Sequence, residues 1–333
     1  MSGYGHRINL IAQVNGVGLT RDMDLLDATL AAAGHRVSQT RLRGGKVPKR
    51  LLPVAIRADT AIRRGLGISP LRYDANILLE HVRDQYLPRA RRNILLPNQE
   101  WVFPAEIALL GRIDHVLTKT RYAQGIFGAL GRPSTYVGFT SPDRLDPAVP
   151  RRREFFHLAG RSRHKGTARL LALWQRHPHW PLLTVVQHPR IGRESVVAAN
   201  INHRRAYMDD AELLRLQNTF RFHLCPSESE GFGHYIVEAM GIGAVVVTND
   251  APTMNEIVQP DRGVLIACRA TEKKNLDWIN EFDEAAMVAA VERLIVADDA
   301  ELDRIGAAAR AWYEDNDRGF AGRLRAGIAA AMA

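Results

Sequence analysis

Residues 222–250 read FHLCPSESEGFGHYIVEAMGIGAVVVTND, and their order decides the fold. FHLCPS is a short apolar run of the kind that forms a buried strand. A loop with Glu228, Glu230, Gly231 and Gly233 follows it, and residues 233–241 have helical spacing. AVVVTN is then a second buried strand. Strand, glycine loop, helix, strand is the repeating unit of a parallel α/β sheet. Ligands of such sheets bind beyond the carboxyl ends of the strands, so the loop after Cys225 is a candidate site. Gly231 and Gly233 let the backbone come close to a ligand, with Phe232 between them. Glu230 stands at the strand end and Glu238 in the helix behind it. A carboxylate accepts two hydroxyl hydrogen bonds in a fixed geometry, which suits sugar and ribose diols. Taken singly, Glu230 also reads as an acid at a helix N-terminus, and Glu238 as a salt-bridged surface residue.

The same alternation extends outward. FFHLAG (155–160) and LLTVVQ (182–187) read as strands, and 166–177 and 209–219 as helices. A short helix at 253–258, a strand GVLIAC (263–268) and helices at 283–296 and 301–313 follow. GRSRHKG (160–166) lies between a strand and a helix start. Arg161 offers a fork for bidentate bonds to phosphate and Lys165 a compact charge, beside helix N–H groups. The same composition also suits a solvated basic turn.

The first half repeats the pattern. INLIAQV (8–14) ends in Asn15-Gly16-Val17-Gly18, and 22–33 has helical spacing closed by Gly34. Strands follow at ANILLE (75–80), RNILLP (92–97), DHVLTKT (114–120) and STYVGF (134–139), with helices at 105–110 and 121–130. SPDRLDPAVPRRR (141–153) has no apolar period and reads as a linker. The expected architecture is two Rossmann-like doubly wound domains, 1–150 and 151–315, facing one cleft, with 316–333 packing back on the first. Acceptor-side candidates at strand ends are His81, Asn98, Glu100 and Thr120; His81 also reads as a plain loop histidine.

The formal charge of +9 is uneven. Residues 1–150 carry 21 Lys/Arg against 12 Asp/Glu, and residues 151–333 carry 24 of each. The excess concentrates in Arg41, Arg43, Lys46, Lys49, Arg50, Arg57, Arg63 and Arg64, opposed in that stretch by Asp59. Arg41–Arg64 is therefore a solvated loop, or a surface for an anionic membrane or acceptor. No run reaches the roughly 20 apolar residues of a membrane span. The N-terminus lacks a secretion-signal layout, and two cysteines make no disulfide framework. These features lead us to expect a cytoplasmic protein, peripheral at the inner membrane face where Arg41–Arg64 engages it. No His/Cys/Asp/Glu set has metal-ligand spacing, so no metal is expected.

Glu230 and Glu238 are separated by seven residues, and the surrounding PSESEGFG…EAMGIGAVVV resembles the signature of retaining GT-B glycosyltransferases of family 4. Gly241 and Ala244 depart from that family's usual alanine and proline. The Arg161/Lys165 pair is similar to the family's diphosphate-binding pair. The resemblance spans about 156–266 and is diffuse in the first half. It implies a retaining, metal-independent transfer of a sugar from a nucleotide diphosphate-sugar, with no cofactor, to a glycan or lipid-linked acceptor. By the same resemblance Arg161 and Lys165 take the diphosphate, Glu238 the ribose, and Glu230 with Gly231, Phe232 and Gly233 the donor sugar. Asn200 and Ile201 take the base, and Gly16 and Gly18 lie near the phosphates.

Two alternatives remain on sequence grounds. One is a nucleotide-sugar epimerase of GT-B-like fold, which lacks the Arg–Lys and paired-Glu combination. The other is a basic nucleic-acid-binding α/β protein. Its cations lack interleaved aromatics, and no nucleic-acid partner is expected.

Overall fold

The computed structural model describes residues 5–14, 18–42, 51–191 and 195–333, except the side chains of Leu51 and Leu52. The chain divides into two units, Met1–Gly138 with Gly319–Ala333, and Phe139–Arg318.

The first unit runs β1 (Arg7–Gln13), α1 (Gly18–Ala32), β2 (Arg36–Leu42), α2 (Leu51–Gly65), β3 (Tyr73–Leu79), β4 (Ala90–Leu96), α3 (Pro104–Ile107), β5 (His115–Thr118), α4 (Arg121–Ala129) and β6 (Ser134–Tyr136). Its strands form one parallel sheet in the order β2-β1-β3-β4-β5-β6. Ile8, Leu10, Ile11, Ile77, Leu78, Ile94 and Leu95 are fully buried. Consecutive apolar residues are what a parallel sheet covered on both faces requires. Helix α1 buries Met23, Leu26 and Leu30, one stripe at helical spacing. Gly34, at φ +88°, ends it by donating to the Ala31 carbonyl. Asn9, Asn76 and Asn93 are register partners on β1, β3 and β4. Their amides bond across at 3.2 and 2.9 Å, which locks the register of three central strands.

Helix α2 lies within the basic stretch read above as a solvated loop or binding surface. Ala, Leu and Arg are good helix formers, and Arg63 pairs with Asp59 at 3.1 Å one turn away. The acids that meet these cations come from elsewhere: Asp24 pairs with Arg41 and Asp84 with Arg57. Arg43, Lys46, Lys49 and Arg50 lie outside the described residues.

The second unit holds β7 (Arg152–Gly160), α5 (Thr167–Arg176), β8 (Leu183–Gln187), β9 (Val197–Ala198), β10 (Ile201–Arg204), α6 (Asp210–Thr219), β11 (Phe220–Cys225), α7 (His234–Gly241), β12 (Val245–Asn249), α8 (Met254–Ile257), β13 (Val264–Ile266), β14 (Cys268–Lys274), β15 (Asp277–Phe282) and α9 (Glu284–Val296). The sheet order is β13-β12-β11-β7-β8-β10-β9, parallel except for β9, and β14 and β15 form a separate hairpin. Phe155, Trp174, Phe222, Leu224, Val247 and Met287 centre its core. Strand order reverses between β7 and β11, the position where doubly wound sheets open a crevice.

The expected linker 141–153 does not run free. Ser141 and Arg144 are buried. Arg144 reaches Asp210 at 3.0 Å, Asn218 donates to the Arg144 carbonyl at 2.7 Å, and Tyr313 donates to the Ser141 carbonyl at 2.8 Å. Its polar residues, which gave no apolar period, instead tie it to the helices of this unit.

The chain closes with α10 (Asp299–Met332), one 34-residue helix. Its last turns belong to the first unit, where Phe320, Leu324, Ile328 and Ala331 are buried. A Cβ on Gly327 would come within 2.5 Å of Val137, so only glycine lets the helix approach β5 and β6 this closely.

Candidate functional site

Two loops meet at the switch point of the second unit. Residues 161–166 leave β7, and residues 226–233 leave β11. Glu228 donates its N–H to the His164 carbonyl at 3.1 Å, and the His164 ring approaches the Glu228 carboxylate at 3.3 Å. Gly166 makes the junction possible. It stands at φ +64° as the N-cap of α5, and a Cβ there would lie 2.8 Å from the Pro226 carbonyl oxygen. The second loop is pinned from below. Asn249 donates to the Ser227 and Asn280 carbonyls, Asn280 N–H to the Glu228 carbonyl, and Ser229 to Asp277.

Lys165 and Glu230, quoted separately in the sequence, form an ion pair here. Ser227 joins them: its hydroxyl donates to Glu230 Oε1 at 2.5 Å and accepts from Lys165 at 3.3 Å. Tyr235 lies 2.5 Å from the same hydroxyl. Burial holds the phenol far above its usual range, so it stays protonated and donates to Ser227. The Lys165 ammonium sits 3.6 Å from the centre of the Tyr235 ring, a cation–π contact that fixes its position. Arg161 is on the same loop and exposed. Gly231 and Phe232 lead into Gly233, the N-cap of α7 at φ +90°.

Glu238 is one turn into α7 and 2% exposed. Gln217 of α6 donates to its carboxylate at 2.8 Å, and Arg144 donates to Gln217 in turn. This buried chain of polar groups holds the Glu238 carboxylate inside the second unit.

Beneath the site, His157 and His223 are wholly buried, and burial lowers both to a pKa of about 4. The Nδ1 of His157 faces the Leu224 carbonyl at 2.7 Å, so it carries the proton. Nε2 then accepts from Thr167 at 2.9 Å, which ties the first turn of α5 to β11.

The structure does not bring every candidate to this edge. Asn200 accepts from Leu183 N–H, and its amide donates to the Trp174 and His177 carbonyls. Leu183 is the first residue of β8 and Ile201 the first of β10, so both candidates lie at the amino end of the sheet. Asn200 thus immediately precedes β10 and Ile201 opens it, a strand that the sequence pattern did not disclose. The residues that do follow β8 include His188, which donates its N–H to the Gly160 carbonyl at 2.8 Å. Gly18 opens α1 in the first unit, and Gly16 lies outside the described residues.

In the first unit, His81, Asn98, Glu100 and Thr120 all follow strands. Glu80 takes φ +67° at the end of β3. His81 then meets Glu106 at 3.1 Å and stacks on Phe103. Asn98 lies between Glu80 and Lys119, at 3.3 and 3.0 Å. Lys119 and Asp22 form an ion pair with both side chains 3% exposed. Glu100 is buried, and Thr120 is spent on capping α4, accepting from Ala123 N–H at 3.0 Å. Sequence reading passed over Ser227, Tyr235, Gln217 and Arg144. Ser227 and Tyr235 were quoted within the glycine-loop segment without a role. Among the described residues no group of three or more His, Cys, Asp or Glu is arranged to hold a metal ion.

Comparison with known proteins bears on the fold and on the second unit. Residues 206–310 match the family described as Glycosyl transferases group 1. The chain is similar in structure to sucrose-phosphate synthase from Thermosynechococcus elongatus (TM-score 0.70, 17% identity, 98% of this chain and 99% of that one). It is also similar to WaaG, a glycosyltransferase involved in lipopolysaccharide biosynthesis (0.65, 16%, 96% and 98%). HepE of Anabaena, solved in complex with UDP and glucose, gives 0.63 at 14% identity, over 96% and 99%. No protein of curated function matches by sequence. The fold is therefore GT-B, and within it residues 206–310 are similar to the glycosyl transferases group 1 family.

Proposed function

From a GT-B fold with a region similar to glycosyl transferases group 1, we propose that the chain transfers a sugar from a nucleotide diphosphate-sugar to a glycan or lipid-linked acceptor with retention. The observation that carries this reading is the Lys165–Ser227–Glu230 cluster at the switch point. A cation that can neutralise a departing diphosphate and a carboxylate that can hold sugar hydroxyls pair with each other there. A diphosphate at Lys165 and a sugar hydroxyl at Glu230 would each take up a bond that the two side chains now make to one another. Arg161 adds a second cation for the phosphates. Gly231, Phe232 and Gly233 lead to the N-terminus of α7, whose N–H groups favour an anion or a developing oxyanion.

Charge stabilisation of the leaving diphosphate by Arg161 and Lys165 supplies its electrostatic assistance and makes the reaction metal-independent in this proposal. Glu238 is the proposed ribose ligand, its carboxylate positioned by Gln217. We assign acceptor hydroxyls to the first unit, with His81 oriented by Glu106 and Asn98 held between Glu80 and Lys119. UDP-sugars are the first donors to try, because HepE is described with UDP and glucose.

The test is a thermal-shift screen with UDP, GDP and ADP and their sugars, with Lys165→Ala and Glu238→Ala in parallel. A ligand at about 100 times its dissociation constant adds roughly 2.7 kcal/mol of stability. A shift with one nucleotide family, lost in Lys165→Ala, supports the assignment. Equal shifts in the wild type and both variants would remove these residues from the donor site.

A further inference from the structure

Strands β14 and β15 form a hairpin outside the seven-stranded sheet, placed in the chain between β13 and α9. The two strands differ in kind. Residues 269–273 of β14 are exposed, whereas β15 buries Asp277, Ile279, Asn280 and Phe282. A carboxylate is costly to bury and is kept inside where it is hydrogen-bonded. Asp277 is 2% exposed, and its two oxygens have different partners. Oδ1 accepts from Trp278 N–H at 2.8 Å, within the hairpin. Oδ2 accepts from the Ser229 hydroxyl at 2.8 Å, in the loop that follows β11.

Ser229 lies between Glu228 and Glu230, and the hairpin grips this loop at consecutive residues. Asn280 N–H donates to the Glu228 carbonyl at 2.8 Å, while Glu228 N–H donates to the His164 carbonyl on the neighbouring loop. The far end of β15 reaches the helix behind that neighbouring loop. Arg169 of α5 donates to the Phe282 carbonyl at 2.8 Å, pairs with Glu281 and lies 4.9 Å from the centre of the Phe282 ring. Helix α5 starts directly after Lys165 and Gly166. One strand is thus bonded near its start to the loop that carries Glu230, and at its end to the helix behind Lys165. A buried ionised group adds little to stability that an apolar side chain of similar volume would not. Its presence next to Glu230 points to placement rather than packing.

We propose that Asp277 is a positioning residue for the donor loop: through Ser229 it sets the place from which Glu230 meets the donor sugar. This rests on the sugar-transfer reading, in which Glu230 holds sugar hydroxyls and Lys165 the diphosphate. Loss of Asp277 then harms what the sugar contributes to binding and spares what the diphosphate contributes.

Amide hydrogen exchange of residues 226–233 in the full chain tests the hold on the loop. Asp277→Ala should speed exchange there about tenfold or more, since a hydrogen bond to a charged group is lost. Asp277→Asn can accept from Trp278 N–H and donate to the Ser229 hydroxyl, so it should restore the wild-type rate. Ser229→Ala should reproduce the Asp277→Ala effect, and the double variant should add nothing to it. Lys273→Ala, exposed and across the hairpin from Trp278, should change nothing. Should Asp277→Ala fail to fold, Ser229→Ala carries the same readings. Thermal shifts with UDP, GDP and ADP, and with their glucose conjugates, test the effect on the site. Asp277→Ala should keep the shift given by the diphosphate, lose the increment given by the sugar, and lower kcat about tenfold or more. Unchanged exchange, or faster exchange with the sugar increment and kcat intact, would overturn the proposal. So would equal loss of the diphosphate and sugar shifts, which would make Asp277 a stabilising residue alone. No nucleotide shift in the wild type, with the exchange effect present, would fault the sugar-transfer reading and leave Asp277 holding the loop.

Discussion

Replacing Gly166 by alanine tests whether the junction of the two switch-point loops positions the donor cations. Gly160, six residues earlier at the end of β7, is the internal control. Both glycines have positive φ, +55° and +64°, and alanine in that region costs about 1–2 kcal/mol. They differ in surroundings. A Cβ on Gly160 meets nothing within 4 Å, whereas one on Gly166 meets the Pro226 oxygen at 2.8 Å and Phe282 at 3.3 Å. A backbone carbonyl cannot swing away as a side chain does, so overpacking should add about 1–3 kcal/mol. For a unit of this size each 1 kcal/mol lowers the melting temperature by about 2–4 °C. Gly166→Ala should therefore fall roughly twice as far as Gly160→Ala. Because the shift separates Lys165 from Ser227 and Glu230, Gly166→Ala should also lose more of the nucleotide-induced stabilisation. Calorimetry with and without donor measures both. Equal losses in the two variants would refute the steric argument. A destabilised Gly166→Ala that binds donor as well as the control does would refute the link from this junction to the site.

Lys165→Ala should lower kcat by about 10²–10³-fold, as expected for loss of a preorganised charge at a leaving group, read by release of nucleotide diphosphate. Ser227→Ala removes the hydroxyl between Tyr235 and Glu230 and should cost about 1–3 kcal/mol in urea unfolding, because the buried phenol loses its acceptor. Stability should also fall with pH. His157 and His223 titrate near 4 when folded and near 6.5 when unfolded. The unfolded chain therefore takes up protons first as pH drops below 6.5. Each buried histidine costs roughly 3 kcal/mol of stability by pH 4, and the loss reverses as pH rises through 6.5. Urea midpoints across that range should show the slope, and His157→Gln should reduce it; an unchanged slope would contradict the assignment.

The donor-side elements were readable because their signals are local. Apolar runs such as LLTVVQ and AVVVTN are long enough to be strands on their own, and the glycines at 231 and 233 mark the loop between strand and helix. Lys165 and Glu230 were each identified, but their pairing depends on β7 and β11 being neighbours, which no spacing of 65 residues discloses. Asn200 was misplaced because β10 is four residues long and lies beside the short edge strand β9. Helix α2 was hidden for another reason: its apolar period points away from the core. Among its described side chains the buried ones are Ile56 and Thr60, so a search for an inward stripe finds a basic loop. In the 268–282 hairpin, β14 is charged and exposed while β15 buries Asp277 and Asn280 beside Ile279 and Phe282, so neither strand gave an apolar alternation to read.

Helix α10 imposes an order on the making of this protein. All of Phe139–Arg318 is synthesised before Gly319–Ala333, the segment that supplies Phe320, Leu324 and Ile328 to the first unit. Domains emerging from a ribosome usually complete in sequence order. Here the later unit can close first, while the earlier one waits with the apolar flank of β5 and β6 uncovered. The N-terminal half is thus the last to mature, and its solubility during synthesis depends on how soon the final turns of one helix arrive.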